Sequence, residues 1–78
     1  MKVIVYSKKG CPYCSRAIQL LNNNNLPYTE YQLNPSDNNY TENRNRIFRE
    51  SNHYSFPIIF FNNKLIGGCS ELDKILND

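Results

Sequence analysis

Cys11 and Cys14 stand two residues apart in the run Gly10-Cys11-Pro12-Tyr13-Cys14, directly after the apolar stretch Val3-Ile4-Val5-Tyr6. Thiols at this spacing can close into a disulfide with little backbone change. The preceding stretch reads as a strand and the following one as a helix, so the pair lies at a strand–helix junction. The first sulfur is then set over a helix N-terminus, where unpaired N–H groups and the helix dipole stabilise a thiolate. Lys8 and Lys9, just before Cys11, add positive charge in the same place. A thiolate is the species that attacks disulfides, so the chemistry these residues point to is thiol–disulfide exchange. Cys11 is the expected nucleophile. Cys14, one helical turn further in and partly covered, is the expected resolving thiol. Two inert thiols or half of a metal site is the bland alternative.

The elements needed to hold this pair can be read on either side of it. Lys2 to Tyr6 is β-branched and apolar without clear alternation, as in a buried central strand, and Ser7 to Gly10 is the turn out of it. Pro12 suits the first turn of a helix, where its missing N–H costs nothing. Ala17, Ile18, Leu20 and Leu21 form the apolar stripe of that helix, and Asn22 to Asn25 ends it. Tyr28 to Leu33 reads as a second strand, parallel to the first because a helix crosses between them. Pro35-Ser36-Asp37 marks a helix start with Ser36 or Asp37 as N-cap. Tyr40, Arg44, Ile47 and Phe48 share one side of the helix that follows, to about Asn52. Ile58 to Phe61 and Lys64 to Ile66 are two further strands, antiparallel across Asn62-Asn63. Gly67-Gly68 breaks the sheet. Ser70 caps a last helix, Glu71 to Leu76, with Leu72, Ile75 and Leu76 toward the core. The expected order is β-α-β-α-β-β-α, an α/β architecture with a four-stranded mixed sheet flanked by three helices.

With 78 residues the chain is expected to form one domain over 1–78, with a modest core. The net charge of +2 is too small to imply a nucleic-acid partner, and Arg44, Arg46 and Arg49 are interleaved with acids such as Glu50, as on a solvated face. No signal peptide and no apolar run of the ~20 residues a membrane span needs is expected, which makes a cytoplasmic, reducing location the default. Three cysteines cannot all pair, and in a reducing compartment a C-x-x-C near a βαβ pattern reads as a redox motif.

Taken together, Tyr6-Ser7-Lys8 before Cys11-Pro12-Tyr13-Cys14, then Ser55-Phe56-Pro57-Ile58-Ile59-Phe60, then Gly67-Gly68-Cys69-Ser70 resemble a dithiol glutaredoxin of the Cys-Pro-Tyr-Cys type over essentially the whole chain. The resemblance implies a thioredoxin-like fold and a monomeric enzyme with no bound cofactor or metal. It implies that glutathione serves as reductant and co-substrate, and that protein disulfides and glutathione mixed disulfides are reduced. Ribonucleotide reductase is among the protein acceptors it implies. Pro12 removes a backbone N–H that could stabilise a sulfur, and family members of this kind have potentials of about −200 to −230 mV.

The resemblance also assigns a glutathione site. Tyr13 lines the groove, or is an exposed turn aromatic. Lys8 pairs with the glycine carboxylate, with stabilisation of the Cys11 thiolate as a side effect. A cis bond before Pro57 turns the backbone of Phe56 outward to pair with the cysteine of glutathione. The family usually has Thr-Val before this proline, and the larger Phe56 reshapes the groove. Gly68, Cys69 and Ser70 lie at the N-terminus of the last helix, where backbone N–H groups would take the γ-glutamyl carboxylate. Glu71 or the Ser70 hydroxyl would take the glutamyl ammonium. His53, four residues before Pro57, stands where the family often has Arg or Gln reaching the glycine carboxylate; its contact would be weaker or pH-dependent, or it is a plain loop histidine. Cys69 reads as a structural thiol.

Two other classes compete. A thioredoxin-like reductase served by a reductase enzyme would carry Trp-Cys-Gly-Pro-Cys, and this chain has no tryptophan. A metal module would use Cys11, Cys14, His53 and Cys69 as a tetrahedral zinc set, or hold an iron–sulfur cluster between two chains, against which Pro12 argues.

Overall fold

The computed structural model describes residues 1–77, and Asp78 lies outside the described residues. The elements are β1 (Val3–Lys8), α1 (Pro12–Asn23), β2 (Thr29–Leu33), α2 (Tyr40–Ser51), β3 (Ile58–Phe61), β4 (Lys64–Gly67) and α3 (Cys69–Asn77). The four strands form one mixed sheet in the order β2-β1-β3-β4. β1 runs parallel to β2, with Val5 opposite Glu30, and antiparallel to β3, with Val5 opposite Ile59. β3 and β4 are antiparallel, with a bulge at Ile59/Phe60. Asn62 and Asn63 both have positive φ (50 and 68), which is what a two-residue hairpin with the sheet's own twist needs.

β1 is longer than the sequence reading and it alternates. Val3, Val5 and Ser7 are buried, while Ile4, Tyr6 and Lys8 are half-buried. Ser7 does not open a turn because the parallel ladder continues to the Lys8–Leu33 pair, and its hydroxyl finds a partner in Glu30. Val3 and Val5 join Ala17 and Leu21 of α1, Ile59 of β3, and Cys69 and Leu72 of α3 in the core. Leu21, Ile59 and Leu72 are each fully buried; shielding a side chain of this size contributes about 1.5–3 kcal/mol.

Both later helices start where the sequence did not place them. Ser36 and Asp37 do not cap α2. The Ser36 N–H is held by Asn34 Oδ1 (2.9 Å), the Asp37 N–H by Asn34 C=O (3.0 Å) and the Tyr40 N–H by Asp37 C=O (3.1 Å). Successive turns therefore delay the helix to Asn39, whose side chain makes no cap bond. At α3 the Leu72 N–H bonds to the Gly68 carbonyl, so Gly68, not Ser70, is the N-cap. Ile75 is 49% exposed rather than facing the core. Among the described residues no helix is long and apolar enough to cross a membrane.

Candidate active site

Cys11 is the N-cap of α1. Its backbone is extended (φ −105, ψ 109) and its Sγ accepts the backbone N–H of Cys14 at 3.2 Å. A side chain accepting from the first helical turn is the ordinary N-cap arrangement, here performed by sulfur. Pro12 takes the following position, and Gly10, with φ +79, turns the chain from β1 into the cap. The Cys11 Sγ lies 4.0 Å from the Phe56 carbonyl, and the Phe56–Pro57 bond is cis. The loop before β3 thus faces the nucleophile.

The two thiols have different surroundings. Cys11 is half-buried, whereas Cys14 is 3% exposed. Burial pushes the Cys14 thiol up to about 12, and the hydrogen bond to Cys11 adds to the effect. Cys14 therefore stays protonated beside Cys11. Cys69 is also buried, and that burial raises its pKa, which makes it a poor nucleophile.

Two adjoining clefts, one of them lined by Cys11, share Tyr13, Ser55 and Phe56 as a common wall. One, of about 420 Å³, contains Cys11 and Lys8 and is closed by Tyr40, Arg44 and Phe48 of α2 and by Tyr54. The other, of about 370 Å³, leads over Pro57 to Gly68, Cys69, Ser70 and Glu71 at the N-terminus of α3, with His53 on its wall. All the residues expected to meet glutathione, namely Lys8, Tyr13, Phe56, Pro57, Gly68, Cys69, Ser70 and Glu71, line this pair of clefts. Tyr13 is 59% exposed, so it is a wall that a ligand would cover.

His53 differs from the expectation. It does not line the Lys8 cleft but sits near Gly68, with its Cε1 within 3.8 Å of where a Gly68 Cβ would be. The cause is local: Asn52 ends α2 in the left-handed conformation (φ 56), and Ser51 Oγ holds the His53 N–H, which turns the loop toward α3. Glu71 also has an assignment beyond the expected ones, since its Oε1 accepts the Gly68 N–H at 2.7 Å.

Arg44 was missed as a site residue. Its guanidinium lies over the rings of Tyr40 (5.7 Å) and Phe48 (5.8 Å), and Asn45 Oδ1 accepts from it. The signal was the spacing 40, 44, 48, which stacks three side chains on one helical face. Lys8 and Arg44 together make the first cleft cationic. Among the described residues no three His, Cys, Asp or Glu side chains converge as metal ligands, so Cys11, Cys14, His53 and Cys69 are not assembled into a zinc set.

A mixed four-stranded sheet with a Cys-x-x-Cys pair at the N-terminus of its first helix defines a thiol–disulfide oxidoreductase. The family model for glutaredoxins matches residues 3–66, and the chain belongs to the glutaredoxin family. It is 37% identical over 71 residues to glutaredoxin 1 of Rickettsia bellii, covering 90% of this chain and 71% of that one. It is 38% identical over 81 residues to a probable glutaredoxin of Acanthamoeba polyphaga mimivirus, covering 95% and 76%. Among solved structures it resembles glutaredoxin 1 from Francisella tularensis in complex with cacodylate (TM-score 0.76, 31% identity, 99% of this chain and 98% of that one). It also resembles a buckwheat glutaredoxin–glutathione complex (TM-score 0.78, 26% identity, 88% and 62%). The architecture is thus the thioredoxin-like one expected, and the homologues are thiol–disulfide oxidoreductases.

Proposed function

We propose that this oxidoreductase uses glutathione, bound along the two adjoining clefts, to reduce glutathionylated proteins and protein disulfides. The observation that carries the reading is the continuous path from Lys8 and Cys11, past Tyr13 and Phe56, to the N-terminus of α3. Glutathione is an extended tripeptide with a carboxylate at each end, and each end of this path favours an anion. Lys8 and Arg44 face one carboxylate, and the first-turn N–H groups of Cys69 and Ser70 face the other.

On this reading the Cys11 thiolate attacks the glutathione sulfur of a mixed disulfide. The protein thiolate leaves and takes a proton, and Cys11 is left bonded to glutathione. A second glutathione thiolate then attacks that sulfur, releasing glutathione disulfide and Cys11. With a protein disulfide, Cys11 forms the mixed disulfide and Cys14 resolves it. Two of the causes that hold the Cys14 thiol up, the hydrogen bond to Cys11 and the Cys11 charge, are gone once Cys11 is in a disulfide, which leaves burial. The resolving thiol is thereby kept from acting early.

Residues 1–78 are read as one domain that works as a monomer in a reducing cytoplasm, with ribonucleotide reductase among the protein acceptors worth assaying. The deciding experiment is reduction of a glutathione mixed disulfide, coupled to glutathione reductase, with wild type, Cys11→Ser and Cys14→Ser in parallel. Activity in wild type and Cys14→Ser, with none in Cys11→Ser, is the expected pattern. An inactive wild type that is instead served by thioredoxin reductase on protein disulfides overturns the glutathione reading.

A further inference from the structure

We propose that Glu30 is the proton acceptor that lets Cys14 resolve a mixed disulfide on Cys11, and that Ser7 holds the Glu30 carboxylate in position. This rests on the roles given to Cys11 and Cys14 above. It starts from Ser7, a polar residue that is 0% exposed near the end of a core strand. A buried hydroxyl needs a partner, and Ser7 Oγ donates to Glu30 Oε2 at 2.6 Å across the β1–β2 pair. Glu30 is opposite Val5 in the ladder, and paired residues project to the same face of a sheet. Val5 packs with Ala17 and Leu21 of α1, so Glu30 extends on the α1 side, where Cys14 lies.

A cleft of about 520 Å³ joins the two residues. Cys14, Ser15 and Ile18 of α1 line it, together with Lys8, Glu30 and Gln32 of the strands and the edge of Cys11. It meets the Lys8 and Arg44 cleft at Lys8, Gly10, Cys11 and Pro12, and neither Tyr13 nor Phe56 lines it. Among the described residues that line it, Glu30 and Lys8 carry the charges, and Glu30 alone is a carboxylate.

The step this geometry serves is balanced as follows. The Cys14 sulfur bonds to the Cys11 sulfur, and the bond between Cys11 and the substrate sulfur breaks. Its electron pair leaves with the substrate as a thiolate. The Cys14 proton passes through water in the cleft to the Glu30 carboxylate, and from there to solvent or the departing thiolate. One disulfide is exchanged for another, so no further oxidant or reductant is required. An acceptor is needed because burial keeps the Cys14 thiol from ionising in advance, so its proton must leave as the new bond forms. In the reverse direction, when Cys14 departs as glutathione opens the Cys11–Cys14 disulfide, the same carboxyl returns the proton.

The test is a single turnover of the reduced full chain with one equivalent of 4,4′-dithiodipyridine. Attack by Cys11 releases the first thiopyridone, and closure by Cys14 releases the second. Glu30→Gln should leave the first phase unchanged and slow the second by roughly 10²-fold at pH 7. Between pH 6 and 8 the second phase should be nearly flat in wild type. In Glu30→Gln it should rise by about tenfold per pH unit, as a reaction through free thiolate does. Glu30→Asp should restore the flat profile at a lower rate, and Ser7→Ala should slow closure while leaving the first phase intact. A second phase in Glu30→Gln with wild-type rate and pH profile overturns the proposal. Loss of the first phase in wild type, or its survival in Cys11→Ser, instead overturns the assignment of the nucleophile.

Discussion

The backbone N–H of Gly68 donates to Glu71 Oε1 across 2.7 Å, so a carboxylate of the chain itself closes the first turn of α3. Gly68 is the N-cap and Glu71 is three residues on, the reciprocal half of a capping box in which no Ser or Thr is present. Glu71→Ala should therefore lower the unfolding free energy by about 1 kcal/mol, the usual cost of losing a cap. Glu71→Gln keeps an acceptor and gives up only the charge at the positive end of the helix, about 0.3–1 kcal/mol. Urea denaturation separates the two. If Ala and Gln lose the same amount, the carboxylate's role is purely electrostatic and the geometric account is wrong.

Gly67 is placed against the same side chain. Its φ is +128, and a Cβ there would lie 2.7 Å from both Glu71 Cγ and Glu71 Oε1. Gly67→Ala should cost roughly 1–3 kcal/mol, partly through backbone strain and partly through that clash. In the Gly67→Ala, Glu71→Ala double variant the two 2.7 Å contacts are gone, while the 3.0 Å approach to the Cβ of residue 71 and the backbone term remain. The double loss should then be smaller than the sum of the single losses. Strict additivity in denaturation would show that the side-chain contact contributes nothing.

How much of this could be read from the chain depended on whether the signal was local. The Cys-x-x-Cys pair, Pro12 at the start of α1 and the Asn62-Asn63 hairpin are short-range features with their own chemistry, and each lies where the residues put it. Ser7 is the contrary case. Its type signals a turn, and only the parallel ladder to β2 and the distant Glu30 make it a buried strand residue. The start of α2 was misread because two side chains in Pro35-Ser36-Asp37, those of Ser36 and Asp37, are good caps, yet the backbone there makes consecutive turns. Arg44 read as a solvated cation because Arg44, Arg46 and Arg49 are interleaved with acids such as Glu50. Its part in the cleft depends on Lys8 and Tyr54, which come from other parts of the sequence.

Lys8 and Arg44 line one cleft with Cys11, and two cations there should favour a substrate carrying a carboxylate. Lys8→Gln and Arg44→Gln should each raise KM for a glutathione mixed disulfide by roughly three- to tenfold with kcat largely kept. That range corresponds to about 1 kcal/mol for a partly screened ion pair. Added salt should weaken wild type in the same way and leave the double variant little changed. A mixed disulfide with cysteamine, which has no carboxylate, serves as the control. If it suffers equally in Lys8→Gln, the lysine acts on the Cys11 sulfur and not on the ligand.

Cys14 makes the alkaline limb of the stability curve predictable. Its thiol is raised from the ordinary value of 9.0 to about 12, chiefly by burial. Below the unfolded value both states hold the proton, and the buried thiol makes its full contribution. Between that value and 12 the unfolded chain has lost the proton while the folded chain still binds it. Fewer protons bound in the unfolded state means that stability falls as pH rises, by up to about 1.4 kcal/mol per pH unit for this one group. Cys69, also raised by burial, adds a loss of the same sign. Denaturant melts from pH 8 to 11 under reducing conditions should therefore show a steep loss in wild type and a shallower one in Cys14→Ser, whose hydroxyl does not titrate in that range. The substitution will lower stability at pH 8 through its own desolvation, so the quantity to compare is the slope and not the starting value. Parallel slopes would mean that the Cys14 thiol is reached by solvent in the folded chain, and the account of why it waits for Cys11 to react would fail with it.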